Sequence, residues 1–557
     1  MTDTFKKGLY FIPLGGADEI GMNMYAYGSN GKWIVVDAGY GFLNDDYPGM
    51  DMCYASPEFL EQFEGQIEGL FITHAHEDHM GAVAQVWPSL KCPVYATPFA
   101  LGLIKERLKE YKMEDTVPLK TVHAGQLIQT SAFEVKFLSL VHSVPETCGL
   151  FIKTQYGNVF HATDWRMDDG MLKMLPFDDK GLKEASKEGV DIFVCDSTNV
   201  LIDKEQPSEQ EIRKNLIELI PELEGGIVAT CFASNIMRLE SLILAAQKAN
   251  RTPVLMGRSL KTNVEVAKEC GYMADLPAVY SPEQVEGITS DKALYICTGS
   301  QANYRSALNI IAKGESKYVK LGSDDTVIFS SKIIPGNEDK IERMQEKMIE
   351  KGVNVITEET APIHTSGHPS KEELRRMYEL LKPKVVLPVH GDKRFIREHK
   401  RFALSCGIKE VCCGKNGDIF KLLDGKLEKT QETVQTDVIG IDRGRSVALT
   451  SELIANRRRI AYNCSLFISA LVSEDNHLLD LKISSIDILE SQDWEKLALE
   501  TKEKVLEQLD KEIHEKGLTQ NVEDQIKARI RKEIFKATDI KPVVMLHIFQ
   551  EGENQCQ

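Results

Sequence analysis

Apolar and polar positions along the chain change rhythm three times, and each change marks an expected domain boundary. "LYFIPLGG" and "MYAYGSNGKWIVVDAG", within residues 8 to 40, are apolar runs around a Ser-Asn-Gly turn, which predicts paired strands at a sheet start. Strand-like runs then alternate with helical ones to about residue 200: "EGLFIT", "CPVYAT", "FEVKFLSLV", "GNVFHATD" and "VDIFVCDST". This alternation predicts an α/β sandwich.

From about residue 205 the pattern restarts. "PSEQEIRKNLIELI" and "IMRLESLILAAQKAN" read as helices, and "GGIVATCF", "TPVLMG", "ALYICTGS" and "DTVIFSS" as strands, so a parallel α/β domain is expected over 205–360. Residues 361–430 return to the first pattern, 431–445 read as a linker, and 446–557 read as a small α+β domain. There Leu497, Thr501, Val505, Leu509 and Ile513 stripe one helix, and Ile526, Ile530 and Ile534 stripe a second. "CSLFISALVS", "HLLDLKIS" and "KPVVMLHIF" are the strands beside them.

Composition narrows the class. With 557 residues, 42% of them hydrophobic and 27% charged, the chain is globular and too long for a single core. No run approaches the roughly 18 to 20 apolar residues of a membrane span, and "MTDTFKKGLYFIPLGG" lacks a signal-peptide core. Twelve cysteines without a Cys-x-x-Cys pair fit a reducing compartment, so a cytoplasmic location and no membrane partner are expected. The net charge of −17 argues against a broad nucleic-acid-binding face. It leaves room for a local basic groove, which Lys382, Lys384, Lys393, Arg394, Arg397, Lys400 and Arg401, or Arg457 to Arg459, could supply; a solvated helix face accounts for them equally well.

The chemistry is concentrated in "FITHAHEDHMGA", Phe71 to Ala82. His74, His76, Asp78 and His79 follow a strand, and His142, Asp164 and His390 end three other predicted strands. Four strand termini thus deliver imidazole and carboxylate to one sheet edge, where α/β folds place their sites. Five histidines and two aspartates suit zinc first and manganese second. Seven ligands are too many for one tetrahedral ion and fit two. The expected grouping is His74, His76, His142 and Asp164 for one ion, and Asp78, His79, Asp164 and His390 for the other, with Asp164 shared.

Together, "THAHEDHMGA", His142, "ATD" and the late "PVHG" resemble the metallo-β-lactamase superfamily. "CDSTN", "FASNI", "GRSL", "PGNE" and "HTSGH" resemble the β-CASP insertion of nucleic-acid hydrolases. With the start "PLGGADEIGMN" and the ending "IRKEIFKATDIKPVVMLHI", the chain is similar to the ribonuclease J family within that group. The resemblance implies a metallo-β-lactamase αββα sandwich over 1–204 and 361–430, with the β-CASP domain inserted between. It implies RNA as substrate, two divalent ions (zinc, or else manganese or magnesium), and 5′→3′ exonuclease action on 5′-monophosphate ends with some internal cutting. It also implies homodimers or homotetramers and a place among RNA-decay proteins.

Carried over by residue, Asp37 would orient the His-rich loop from behind the ligands, and Asp78, Asp196 and His368 would be catalytic, His368 at the departing 3′-oxygen. Ser234, Asn235, His364, Thr365, Ser366, Gly367 and His368 would contact substrate, with Ser234, Asn235, Ser366 and Gly367 at the 5′ phosphate. The chain departs from the family at "TGSQANY", Thr298 to Tyr304, where "TGSQGEP" is common, at Pro369 after "HTSGH", and at "ISSIDIL" in place of an "SRGF"-like turn. Two further readings stand beside the ribonuclease. The metal loop alone also fits a small-molecule hydrolase such as a lactonase or thioesterase, and the altered loop fits a non-catalytic RNA-binding partner of an active paralogue.

Overall fold

The computed structural model of the chain describes residues 5–168, 176–334 and 336–551. Two compact units are present: one runs to Phe42 and resumes over Met52–Ile439, and the other joins Leu43–Asp51 to the chain from Gly440 onward.

The larger unit is built on two facing sheets. The first orders its strands as Lys426–Thr433, Asp418–Leu423, Leu9–Gly15, Met24–Ser29, Lys32–Val36, Ile67–Phe71, Val94–Ala96 and Leu119–Thr121. The Ser-Asn-Gly turn joins Met24–Ser29 to Lys32–Val36. Asn30 at φ 53° and Gly31 at φ 74° are both left-handed, as a two-residue type I′ hairpin requires. The second sheet orders Glu410–Val411, Val385–Val389, Ile192–Asp196, Gly157–Ala162, Cys148–Thr154, Glu134–Ser139 and Leu127–Gln129.

Strand alternation decides what each face of the second sheet meets. Val159, Ile192, Val194, Leu387 and Val389 point inward and pack with Phe11, Tyr27, Val36 and Phe71 of the first sheet. Their neighbours Phe160, Phe193, Cys195 and Val386 point outward, under helices Asp179–Glu188, Lys371–Leu381 and Lys393–Ser405. Both faces are therefore apolar, which is why these strands read as continuous hydrophobic runs. Helix Lys371–Leu381 starts at a capping box between Ser370 and Glu373 and buries Leu374, Met377, Tyr378 and Leu381, one face of a 3.6-residue period. Asp392 caps Lys393–Ser405 by accepting the Arg394 and Phe395 N–H groups.

The inserted domain has a five-stranded parallel sheet ordered Thr252–Met256, Ala293–Cys297, Ile227–Thr230, Thr326–Phe329 and Asn354–Ile356. Parallel neighbours need crossovers, which the helices Ile236–Lys248, Arg258–Glu269, Ala307–Lys313 and Glu338–Ile349 supply. The architecture is thus an αββα sandwich with an inserted α/β domain.

In the smaller unit, strands Leu478–Ile486, Ser465–Val472 and Val543–Gln550 form a sheet, in that order. Val505, Leu509 and Ile513 of helix Ser491–Lys516 and Ile526, Ile530 and Ile534 of helix Gln520–Thr538 bury against Leu466, Ile468 and Ala470. The span 431–445, expected as a linker, instead contains the end of Lys426–Thr433 and the strand Val438–Asp442. Lys426–Thr433 is an edge strand whose side chains are mostly exposed on both faces, so its sequence is polar enough to pass for a linker.

Candidate active site

Five strand ends supply the polar residues. The loop after Ile67–Phe71 carries His74 and His76 and runs into the short helix Glu77–Met80 with Asp78 and His79. His142 follows Glu134–Ser139, Asp164 follows Gly157–Ala162, Asp196 ends Ile192–Asp196, and His390 follows Val385–Val389. The last three strands are parallel neighbours, with Ala162 beside Cys195 and Asp196 beside Val389. That register brings Asp164, Asp196 and His390 to one edge.

Ligand atoms of His74, His76, His142 and Asp164 lie within 4.8 Å of one another, as do those of Asp78, His79, Asp164 and His390. In the first group His76 Nδ1 is 3.1 Å from His74 Nε2 and 3.0 Å from His142 Nε2. Asp164 turns Oδ2 to this group, 3.8 Å from His74 and 3.6 Å from His142. It turns Oδ1 to the other, 3.3 Å from His79 and 3.7 Å from His390. Asp78 Oδ2 completes the second group at 3.2 Å from His390 Nε2 and 3.5 Å from His79 Nε2. Asp196, His368, His390 and Asp164 form a third grouping, in which His368 Nδ1 donates to Asp196 Oδ2 at 2.7 Å.

Partners behind the ligands fix which ring nitrogen faces inward. His79 Nδ1 donates to Asp37 Oδ2 at 2.7 Å, and His142 Nδ1 donates to the Gly367 carbonyl at 2.6 Å. Thr198 Oγ1 lies 2.9 Å from His390 Nδ1 and donates to the His390 carbonyl at 3.1 Å. In each case Nε2 faces the site, where Asn23 Nδ2 also lies 3.0 Å from that of His79.

Burial pushes His74 and His142 well below the ordinary imidazole value and His76 down to about 4, so these rings are neutral with free lone pairs. Burial opposes charge on His79 and His390 too. Asp164 and its fellow acids overcome it, holding His79 well above its usual value and His390 up at about 10. A divalent cation among the same acids would displace those protons. Among the described residues the buried Asp164 Oδ1 has no hydrogen-bond partner, and it faces both His79 and His390. An orphaned buried carboxylate oxygen amid converging imidazoles is what a cation-binding site leaves when only protein atoms are counted. The donor set fits a borderline-hard divalent ion.

The loop His364–His368 lies against this edge. Gly367 is required there: a Cβ on it would stand 2.6 Å from the His142 ring. Two buried arginines grip the loop. Arg166 Nη1 donates to Thr365 Oγ1 at 2.8 Å and to the Ser366 carbonyl at 2.9 Å. Arg238, fully buried and paired with Glu209 at 2.7 Å, donates to the Ile363 carbonyl and to His364 Nδ1, each at 3.2 Å. Asn199 Nδ2 donates to Ser366 Oγ at 2.9 Å and to the His368 carbonyl at 3.0 Å.

Asn235, expected at a substrate phosphate, has its side-chain oxygen committed to capping helix Ile236–Lys248 through the Arg238 N–H at 3.0 Å. Ser234 immediately precedes that cap. Arg166, Thr198, Asn199 and Arg238 are functional partners that sequence reasoning missed. For Arg238 a signal existed: with Ser241, Leu242 and Ala245 it occupies the buried face of its helix, an odd place for a charge. The "TGSQANY" loop joins the same neighbourhood. Gln301 Nε2 donates to the Lys332 carbonyl, and Gln301 Oε1 accepts from the Ile334 N–H, each at 2.9 Å.

Three family models match the chain: "Ribonuclease J, beta-CASP domain" over residues 224–348, "Beta-lactamase superfamily domain" over 32–179, and "Zn-dependent metallo-hydrolase RNA specificity domain" over 352–405. A ribonuclease J of Sinorhizobium meliloti is 38% identical over 429 residues, 76% of either chain. One of Helicobacter pylori is 31% identical over 97% of this chain and 80% of its own. That of Thermus thermophilus is 31% identical over 96% and 94%, respectively. Among solved structures, a protein of unknown function from Enterococcus faecalis matches with a TM-score of 0.52 at 14% identity, over 74% of this chain and 100% of that one, a likeness of fold alone.

Proposed function

The chain belongs to the ribonuclease J family of metal-dependent ribonucleases, and we propose that it degrades RNA 5′→3′ from 5′-monophosphate ends, with additional internal cutting, in RNA processing and decay. The observation that carries the two-ion reading is Asp164, whose two oxygens serve separate His/Asp groups. His74, His76, His142 and Asp164 would hold one divalent ion, and Asp78, His79, Asp164 and His390 the other, zinc foremost and manganese or magnesium as alternatives. Such a pair supplies, when bound, Lewis acidity at neutral pH and positive charge opposite a phosphate.

The chain's own residues do the rest. Asp37, Thr198 and the Gly367 carbonyl keep the imidazole rings aimed inward. Asp196 accepts the His368 Nδ1 proton and so fixes that ring's orientation, and the His368 side chain, 20% exposed, can be reached by substrate. His368 then serves as the acid that protonates the departing 3′-oxygen. The hydroxyls of Ser234 and Ser366 and the backbone of Thr365 and Gly367 offer donors to the terminal phosphate. Lys393, Arg394, Arg397, Lys400 and Arg401 project from one helix into solvent just beyond His390 and are placed to follow the RNA backbone. We assign the enzyme to the cytoplasm on its cysteine usage, and as a homodimer or homotetramer on family likeness.

The test is a set of time courses on body-labelled RNAs bearing 5′-monophosphate, triphosphate or hydroxyl ends, with zinc or manganese returned to chelated enzyme. Mononucleotide release from the monophosphate RNA, dependent on metal, is expected. RNA left intact under every metal, with lactones or thioesters opened, would replace this reading with that of a small-molecule hydrolase.

A further inference from the structure

Between Lys429 and Lys482 every basic side chain is an arginine: Arg443, Arg445 and Arg457 to Arg459. Lysines outnumber arginines 47 to 20 in the whole chain, so one quarter of its guanidiniums fall in 17 residues. Residues 440–464 set two acids, Asp442 and Glu452, against these five, on a chain of net charge −17. Solubility alone does not call for arginine over lysine. A planar fork that matches phosphate and stacks on rings does.

The fold draws these arginines together within the smaller unit. Arg457 pairs with Asp442 at 2.5 Å, and that bond, with Arg443 and Arg445 nearby, holds the carboxyl below its ordinary value. One acid thus answers three arginines. Arg443, Arg445, Arg458 and Arg459 are exposed, and among the described residues no carboxylate oxygen lies within 4.0 Å of any of them. Like charges gathered with too few partners repel one another, and a polyanion relieves that repulsion.

Aromatic surface is interleaved with the charge. Ser451, Ala455, Arg458 and Tyr462 follow one another at three- and four-residue steps, down one face of helix Glu452–Asn463. Arg458 lies over the Tyr47 ring at 5.8 Å, and Tyr462, one turn further on, is 68% exposed. Tyr47, Thr450, Ser451, Ile454, Ala455 and Arg458 line a cavity of about 310 Å³. That volume is at the lower end of small-ligand sites, roughly 300–1,000 Å³. Ser451 Oγ, buried in its wall, has no hydrogen-bond partner among the described residues. Arginines beside rings are what single-stranded nucleic acid binds: guanidiniums follow the backbone and rings stack on bases. An acidic peptide would meet the charge and give the two tyrosines nothing to stack on.

We propose that the arginine cluster around Tyr47 and Tyr462 is a second RNA-binding surface, built from none of the active-site residues, that takes a single-stranded segment of the substrate by its backbone and bases without reading sequence. The inference rests on the ribonuclease reading above.

The full-length, metal-loaded enzyme tests this by anisotropy with a labelled, cleavage-resistant phosphorothioate RNA over a range of salt. Each phosphate contact of a single strand adds about 0.7 to the slope of log affinity against log salt. The triple variant Arg443→Gln, Arg445→Gln, Arg458→Gln should therefore bind about tenfold or more weakly at low salt and lower that slope by about 2. Lysine at the same three positions should restore the slope, because the charge is kept. Tyr462→Ala should weaken binding about fivefold or more with the slope unchanged, since a tyrosine neutralises no phosphate. Unchanged affinity and slope in the triple variant, with an unchanged melting temperature, would overturn the inference and leave these arginines as a solvated helix face. Wild-type affinity in Tyr462→Ala would overturn it as well. So would intact RNA affinity in the triple variant with altered sedimentation of the RNA-free enzyme, which makes the surface a protein contact. A wild type that neither binds nor cleaves RNA counts against the function; one that binds and cleaves RNA just as the triple variant does counts against this surface alone.

Discussion

Replacing Asp37 by Asn changes one atom of a side chain that touches no substrate, and it should weaken metal binding markedly. Asp37 sits at φ 61°, a left-handed position that Asn tolerates as well as Asp, so the backbone is not the issue. Its Oδ1 accepts the Thr73 N–H at 2.8 Å, and its Oδ2 accepts the Thr73 hydroxyl at 2.9 Å and His79 Nδ1 at 2.7 Å. Both oxygens must therefore accept, and Asn offers one acceptor and one donor. If the amide nitrogen faces Thr73, two buried donors confront each other, at a cost of about 1–3 kcal/mol. If it faces His79, Nδ1 must accept, the ring hydrogen moves to Nε2, and Nε2 is the atom aimed at Asp78 and Asp164.

Loss of such a supporting partner typically weakens a metal site about 10–100-fold, equivalent to about 1.4–2.7 kcal/mol. Competition against a chelator of known affinity measures the metal directly, and a thermal melt of chelated protein separates the two side-chain orientations. A larger melting loss favours the amide facing Thr73, and an unchanged melt with weak metal favours the other. Metal affinity in Asp37→Asn equal to that of the wild type would refute the role of Asp37 in aiming His79.

His76→Ala removes the imidazole that stands between His74 and His142, and RNA cleavage should disappear; full activity in that variant would sink the site assignment. Ser234→Ala should reduce the preference for monophosphorylated ends more than internal cutting, measured on linear and circular RNAs. His399, buried between the Tyr378 and Ser197 hydroxyls, is pushed by burial from 6.5 down to about 4. Between those values the unfolded chain holds a proton that the folded one lacks, so stability rises with pH by about 1.4 kcal/mol per unit and is lost as pH falls toward 4. His399→Gln should flatten the melting temperature across that window. Ala302 occupies a left-handed φ of 54°, so Ala302→Gly should stabilise by up to about 1 kcal/mol in denaturant titrations, and a loss would contradict the strain.

What was legible in the sequence follows from how the sheet is built. Strands buried on both faces are apolar runs, so a histidine or aspartate ending such a run announces itself. The seven residues His74, His76, Asp78, His79, His142, Asp164 and His390 all carry that signature, and the structure gathers them on one edge. The grip on the His364–His368 loop was not legible, because it is made across 200 residues from Arg166 to Ser366 and 125 from Arg238 to Ile363. Local pattern records that Arg238 lies on an apolar helix face; only the packing of separate elements says what it holds. The end of the edge strand Lys426–Thr433, beyond residue 430, escaped for the opposite reason, having no buried face to give it a period.

The place of the insertion explains how one chain can separate chemistry from choice of substrate. Ile192–Asp196 and Val385–Val389 are hydrogen-bonded parallel neighbours, paired from Ile192 with Val385 to Asp196 with Val389, yet the whole inserted domain lies between them in sequence. A parallel pair needs a crossover in any case, and here the crossover has been enlarged without disturbing the register that sets Asp164, Asp196 and His390. The returning chain enters the sheet through His364–His368, so the segment that closes the insertion is the one laid against the ligand edge. The ligands are held by strand register, and the loop is held by arginines rooted in both domains. Substitutions at Ser234 should therefore change which RNA ends are accepted while leaving metal affinity untouched, whereas those at Asp37 should do the reverse.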